Sequence, residues 1–402
     1  MRRSAQGSWL LLLIASAILM ITMGARQTIG LFIVPIDIST GLGIVAISLA
    51  AAIGQFSWGL AQPVFGALAD RFGPGRILVL GGLMLAAGLA LTPFVRTEFQ
   101  LILVLGVLTA FGAGAGSFSI LIGAVLQRLP PERRSFASGL INAGGSFGQF
   151  VFAPLLQVII TGFGWVTALF TMAVFCLATI PLAWPLRGRG EARAAAEPGG
   201  SSTLMAQLRV ASKDTSYWCL HLGFFTCGFH IAFLVTHLPG QIHLCGLDPL
   251  VSANSLALIG LANMAGSLGI GWLGARRRMK SLLFAVYFTR VIAILAFMAA
   301  PKTALTFYVF SAALGLTWLS TVPPTVGLVG KLFGVRYLAT LFGLTLLSHQ
   351  IGGFFGAWMG GLAVARFGDY TWMWYADAGL ALFAALINLP IREAPMLRAA
   401  VA

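Results

Sequence analysis

Long apolar runs, broken by short polar turns that are mostly basic, recur along the whole chain. Each run is about twenty residues or more, the length at which a helix crosses bilayer hydrocarbon while bonding its own backbone. The strands of a membrane barrel would instead alternate over about ten residues. The pattern predicts twelve helical spans, at 9–34, 43–68, 76–95, 99–127, 134–160, 164–186, 216–240, 252–273, 281–299, 303–330, 337–363 and 371–391. The one long polar interruption, 187–215, contains Glu197–Ser202. It divides the chain into an N-terminal six-helix bundle (1–186), a cytoplasmic linker (187–215) and a C-terminal six-helix bundle (216–402). The expected fold is an all-α integral membrane protein of two pseudo-symmetric halves.

Composition supports this reading: 58% hydrophobic and 9% charged residues leave too little polar surface for a soluble globule of 402 residues. The net charge of +14 could indicate nucleic acid, but the basic residues sit in loop clusters and form no basic face. Twenty of the 25 basic residues, from Arg2 and Arg3 to Arg392 and Arg398, fall on the side of the N-terminus. Arg96, Lys302 and Arg366 fall on the other. Such an alternation through every loop follows the positive-inside rule and puts both termini in the cytoplasm. Met1–Arg3 and the apolar run behind it read as a retained first span, because no small-residue cleavage site follows. The four cysteines, Cys176, Cys219, Cys227 and Cys245, have neither metal-ligand nor redox spacing.

Between spans 2 and 3 lies Gly66–Arg76, GALADRFGPGR. It resembles the cytoplasmic loop between helices 2 and 3 of the major facilitator superfamily, matching at Gly66, Leu68, Asp70, Arg71, Gly73 and Arg76 and departing at Pro74 and Gly75. The resemblance implies two bundles around a central cavity, with Asp70, Arg71 and Arg76 in a gate that latches the halves together on the cytoplasmic side. In the second half, Gly271–Lys280 (GWLGARRRMK) keeps the glycines and basic residues but lacks the acid. Arg134, Ala137 and Gly139 are echoed by Arg336, Ala339 and Gly343.

Glu132–Gly145, ERRSFASGLINAGG, is similar to the start of helix 5 in monocarboxylate transporters at Arg133, Arg134, Ala137, Gly139, Ala143 and Gly144. Phe136 and Asn142 depart, and the acid-glycine-aromatic opening of that family's first helix is replaced by Thr22–Phe32, TMGARQTIGLF. The Gly-Pro pattern of many drug exporters is absent from Gly144–Pro154, which favours uptake or symport.

Charges inside the spans carry the functional reading. Arg26 and Arg290 are the two basic residues well within them. An arginine at mid-bilayer costs about 2.5–3.5 kcal/mol on insertion scales, so it is kept against a cavity or a partner. Arg26, between Gly24 and Gly30, is a candidate substrate ligand; its alternative partners are Asp37 and a helix-end carbonyl. Arg290 is a second candidate, its alternative role being to anchor span 9 against a neighbouring helix, since the resemblance makes spans 3, 6, 9 and 12 peripheral. A guanidinium suits a carboxylate because its planar fork bonds both oxygens. His230 and His237 are seven residues apart and share one face of span 7, while His221 points elsewhere. His349 and Gln350 lie mid-span in span 11. An imidazole can carry a coupling proton; Asp377, on span 12, is a weaker candidate because that span is expected to be peripheral. Gln55, Gln62, Ser117, Ser119, Asn142, Gln149, Asn263, Thr317, Trp318 and Ser320 complete an expected polar lining, each with helix–helix hydrogen bonding as its alternative.

These features point to a secondary active transporter working by alternating access. The expected cargo is a small organic anion, a monocarboxylate, moved with protons, because the excess charge within the spans is basic. The expected protein is a monomer of the bacterial inner membrane, with no metal or cofactor and with small molecule, proton and lipid as partners. The rival transport reading is export of amphipathic compounds, given 30 Phe and 12 Met. A lipid-modifying enzyme would need paired acids or a metal cluster, which this sequence lacks; a transporter-like nutrient sensor would bind without moving its ligand.

Overall fold

The structure, a computed structural model, describes residues 2–126, 131–187, 204–274, 276–334 and 337–393. Among these residues all regular structure is helical. The twelve spans stand close to where the apolar runs predict them: α1 (Arg2–Gln27, continued by Gly30–Thr40), α2 (Ile44–Phe72), α3 (Pro74–Leu91), α4 (Glu98–Val125), α5 (Pro131–Phe163), α6 (Trp165–Ala183), α7 (Thr215–Leu244), α8 (Pro249–Gly274), α9 (Met279–Ala299), α10 (Ala304–Phe333), α11 (Leu338–Phe367) and α12 (Thr371–Ile387). Among the described residues ten helices are long and apolar enough to cross a membrane; α12, with 17 residues, is shorter, and α11 carries Ser348, His349 and Gln350 near its middle. A short helix, Leu204–Ser212, leads into α7.

Three spans are discontinuous, which periodicity alone did not anticipate. The helix of α1 stops at Gln27 and restarts at Gly30. In α4 a π-wound stretch, Ile102–Thr109, precedes a break at Gly116–Ser117. In α10 the helix ends at Thr317 and resumes at Val322, where Pro323 and Pro324 can donate no N–H to the preceding turn. The breaks of α4 and α10 occupy corresponding places in the two halves. Irregular backbone at membrane depth requires substitute partners. Thr22 Oγ1 supplies one at 3.0 Å from the Gly116 carbonyl, and Asn263 Oδ1 accepts the Leu319 N–H at 3.0 Å.

Glycines set the closest packing within each half. On α5, Gly144 and Gly148 lie on the backbone of Ser16 and Met20 in α1. The corresponding pair, α7 and α11, meets through Gly228 against the His349 carbonyl and through Gly352 and Gly356 against the Phe225 and Phe229 carbonyls. A Cβ at these positions would strike backbone, so small residues let the helices approach. The turn from α2 to α3 needs Gly73, whose φ is +89°, and Pro74 starts α3.

The halves meet along α2 with α11, α5 with α8 and the continuation of α1 with α7. Gly30 packs on the Val235 carbonyl, Gly361 on Ser48, and Ala52, Ala232 and Ala357 form a small shared cluster. These contacts lie toward the face opposite the chain ends. On the terminal side, Leu12, Ile18, Ile77, Leu121 and Ile141 form a core belonging to the first half alone. Gly66, Gly123, Gly139, Gly269 and Gly343, in the terminal-side portions of α2, α4, α5, α8 and α11, face open space. The described contacts between the two bundles thus concentrate toward the face opposite the chain ends.

Candidate functional site

Arg26 stands one residue before the break in α1. Its guanidinium bonds Gln55 Oε1 and lies over the Trp58 ring, 4.1 Å from the centroid, both on α2. Gln55 abuts Gly353 of α11, so this cluster occupies the seam between the halves. Arg26 is half-buried, and no ion pair with Asp37 forms among the described residues. Gln55, Trp58 and Gln62 recur at helical spacing along one face of α2. Gln62 Oε1 accepts from Ser119 at 3.4 Å, and Ser119 in turn meets Ser117 at 3.0 Å.

From the other side, Gln350 covers Gly59 and its amide reaches His349 Nδ1 at 3.4 Å. The His349 ring rests near Phe224, with centroids 5.2 Å apart, and lies within coulombic range of both Arg26 and Arg290. Buried Trp58 Nε1, Gln62 Nε2 and Gln350 Oε1 have no protein partner. A guanidinium beside the unused Trp58 N–H is a constellation for negatively charged oxygen. Trp58 was missed by sequence reasoning, although its place on the Gln55–Gln62 face was the available signal.

Arg290 is placed differently. It is fully buried, and its guanidinium donates to the carbonyls of Thr317 and Trp318 at 2.5 and 2.8 Å, with a longer bond of 3.4 Å to Thr317 Oγ1. It therefore anchors α9 to the broken end of α10, the alternative open from sequence, because carbonyls at a helix C-terminus favour a cation. Trp318 is also buried within this break. Asn263 ties the same break to Ser146 of the first half, donating at 2.9 Å. Gln149 is buried in α5 beside Gly260 of α8; Asn142 is half-buried and makes no side-chain hydrogen bond among the described residues.

The histidines of α7 separate by their second nitrogen. His237 is satisfied at both, Nε2 donating to the Ala357 carbonyl at 2.6 Å and Nδ1 facing the Tyr370 hydroxyl at 3.2 Å. It serves helix packing. His221 pairs with Ser348 at 2.7 Å. His230 Nδ1 meets Asp377 Oδ2 at 2.6 Å, both side chains fully buried. Span 12, expected to be peripheral, thus delivers its acid to span 7.

Of the expected gate, the side chain of Asp70 lies outside the described residues. Arg71 and Arg76 are exposed, and neither makes an ion pair among the described residues. Gly75 packs on the Arg187 backbone, which explains a glycine at this departure from the motif. Of the echo between spans 5 and 11, the side chains of Arg134 and Ala339 and the whole of Arg336 likewise lie outside the described residues. The acid missing from Gly271–Lys280 comes from a distance: Glu393 accepts from the Met279 N–H at 2.8 Å and Lys331 Nζ at 2.9 Å. Burial works to raise the Glu393 carboxyl, but the Met279 N–H and Lys331 hold it below its ordinary value.

The Major Facilitator Superfamily sequence model matches residues 12–357. Monocarboxylate transporter 13 of Rattus norvegicus is 27% identical over 390 residues, covering 96% of this chain and 90% of that protein. The oxalate:formate antiporter of Oxalobacter formigenes is 24% identical over 376 residues, covering 90% and 86%. Among solved structures, a D-xylose-proton symporter aligns with a TM-score of 0.74 at 14% identity, covering 96% of this chain and 98% of that one. A bacterial homologue of the lysosomal transporter Spinster, solved inward-facing and unoccupied, aligns with a TM-score of 0.72 at 15% identity, covering 96% and 95%. The likeness to solved structures carries the two-bundle fold, and the family match runs from the first span into the eleventh: the chain belongs to the major facilitator superfamily of membrane transporters.

Proposed function

We propose that this transporter carries a small organic anion, a monocarboxylate in the first instance, together with a proton. The observation that carries the reading is Arg26, a half-buried guanidinium at the seam between the halves whose contacts are neutral and whose neighbour Trp58 holds an unused N–H group. A carboxylate would bring the counter-charge. Two carboxylate transporters among the relatives support the same class of cargo.

Energetics favour symport for uptake. An anion entering a negative-inside compartment pays about 2.3 kcal/mol per charge per 100 mV, and a companion proton cancels that cost. On this reading residues 1–186 and 216–402 rock about the seam, the linker 187–215 and both termini face the cytoplasm of a bacterial inner membrane, and the monomer suffices. Asp70, Arg71 and Arg76 latch the terminal face when it closes. Uptake of labelled pyruvate, lactate, formate and oxalate into proteoliposomes, with and without an imposed pH gradient, tests the reading. Accumulation of at least one monocarboxylate that rises when the outside is acidified is expected; transport of none of the four would overturn it.

A further inference from the structure

His230 and Asp377 form a polar pair in the interior of the second bundle, and each keeps one atom unused. Asp377 Oδ2 takes up His230 Nδ1 at 2.6 Å, whereas His230 Nε2 and Asp377 Oδ1 are buried without a partner. An ionised carboxylate only accepts, so Nδ1 carries the hydrogen of the neutral ring and Nε2 presents a bare lone pair. This sets His230 apart from His237, whose two nitrogens are both occupied.

The surroundings contain little other charge. Titratable or charged side chains in the interior of the packed elements are Cys227 and His237 on α7, Tyr287 and Arg290 on α9, His349 on α11 and Tyr370 at the head of α12; Tyr217, Cys219, His221 and His243 lie toward the ends of α7, Lys280 at the start of α9 and Arg366 at the end of α11, and Tyr375 of α12 is exposed. The spanning part of α8 contributes none, and α2 and α10 carry theirs toward their ends. Tyr287 donates to the Gly223 carbonyl at 2.6 Å, and Cys227 meets Thr321 at 3.2 Å. Among the described residues in the interior of these elements, Arg290 supplies the one fixed positive charge. In the antiparallel pair α9 and α12, Phe297 meets Trp374 with ring centroids 5.0 Å apart. Arg290 lies seven residues from Phe297 and Asp377 three from Trp374, which separates them by about one helical turn, ~6 Å along the axis.

We propose that the His230–Asp377 pair is a proton-binding site of this protein, and that Trp318 relays its state to the break in α10. The proton adds to His230 Nε2. The pair passes from net −1 to neutral, and with Arg290 the interior passes from neutral to +1. Trp318 links the two sites: its ring lies 6.0 Å from the imidazole, and its carbonyl holds Arg290 at 2.8 Å. A new cation on His230, joined to Arg290 through Trp318, weakens that hold, because like charges repel strongly where water is excluded. Proton binding is argued from this geometry alone; its coupling to transport rests on the symport reading above.

Tryptophan emission tests the site without any substrate, since a protonated imidazole quenches a neighbouring indole. The purified protein in detergent is titrated from about pH 8 to about pH 5, the range in which histidine ordinarily changes charge. Trp318 is one of ten tryptophans, so acid is expected to remove up to about a tenth of the emission. Trp318→Phe, His230→Gln and Asp377→Asn should each lose this component; whichever of the latter two elutes as a folded species by size exclusion is used. The same acid response in the parent protein and in Trp318→Phe, or its survival in His230→Gln, would overturn the assignment.

A second arm measures pyruvate uptake in proteoliposomes. Asp377→Asn is expected to flatten the stimulation by external acid, and retained stimulation would overturn the coupling. If pyruvate and the other carboxylates are not moved at all, the carboxylate reading falls, while the fluorescence titration still decides the proton site.

Discussion

Arg290 Nη2 donates to the Trp318 carbonyl at 2.8 Å, joining a buried guanidinium on α9 to the point where α10 loses its helical bonds. The arrangement answers two needs together: a cation is held inside the membrane domain, and orphaned carbonyls gain a donor. Replacing Arg290 by Met should therefore act on stability before it acts on cargo affinity. Each carbonyl left unsatisfied costs about 1–3 kcal/mol. A lower thermal unfolding midpoint in detergent is expected, with partial recovery in Arg290→Lys. An unaltered midpoint in Arg290→Met would show that the bond does not support the break.

Arg26 should behave in the opposite way. It touches Gln55 and Trp58 without closing any helix end, so Arg26→Ala is expected to leave the unfolding midpoint within a few degrees while reducing carboxylate uptake by roughly 10-fold or more, as loss of a charge-assisted pair would. Arg26→Lys should retain part of the activity, since it keeps the charge and loses the planar fork. Unchanged uptake in Arg26→Ala would remove the basis of the anion reading.

The seam between α7 and α11 makes a packing prediction. Gly352 lies against the Phe225 carbonyl, and a side chain there must push two backbones apart. Gly352→Val should reduce the yield of folded protein sharply, whereas Gly343→Ala, at a position facing open space, should be tolerated. Monodisperse protein after detergent extraction is the measurement.

Glu393 gives a pH dependence whose sign is fixed by its environment. Its carboxyl sits below the ordinary value in the folded protein, so folding favours the ionised form. The stabilisation is present above the carboxyl's unfolded value and fades as pH falls through the folded one. Parent protein should unfold at a higher temperature than Glu393→Gln at neutral pH, and the difference should shrink in acid. Identical midpoints at neutral pH would show that the contacts with Met279 and Lys331 do not stabilise the terminal face.

Much of this architecture was legible along the chain, and for a simple reason. Lipid forbids unsatisfied backbone, so each crossing must be helical, about twenty residues long and largely apolar, and these demands leave a readable pattern. The spans and the division into halves follow from it. The same solvent makes Arg26 and Arg290 conspicuous, because charge is rare there and must be accounted for.

What the linear pattern leaves open is partnership. Arg26 and Arg290 look alike in sequence, yet one meets the seam between the bundles and the other a helix end. His230 and His237 share a face of α7, but only the first leaves a nitrogen unused, because Asp377 approaches across 147 positions of chain. Hydrophobic periodicity specifies which residues lie in the membrane. Distances between helices, set by glycine contacts and broken turns, decide which of them meet.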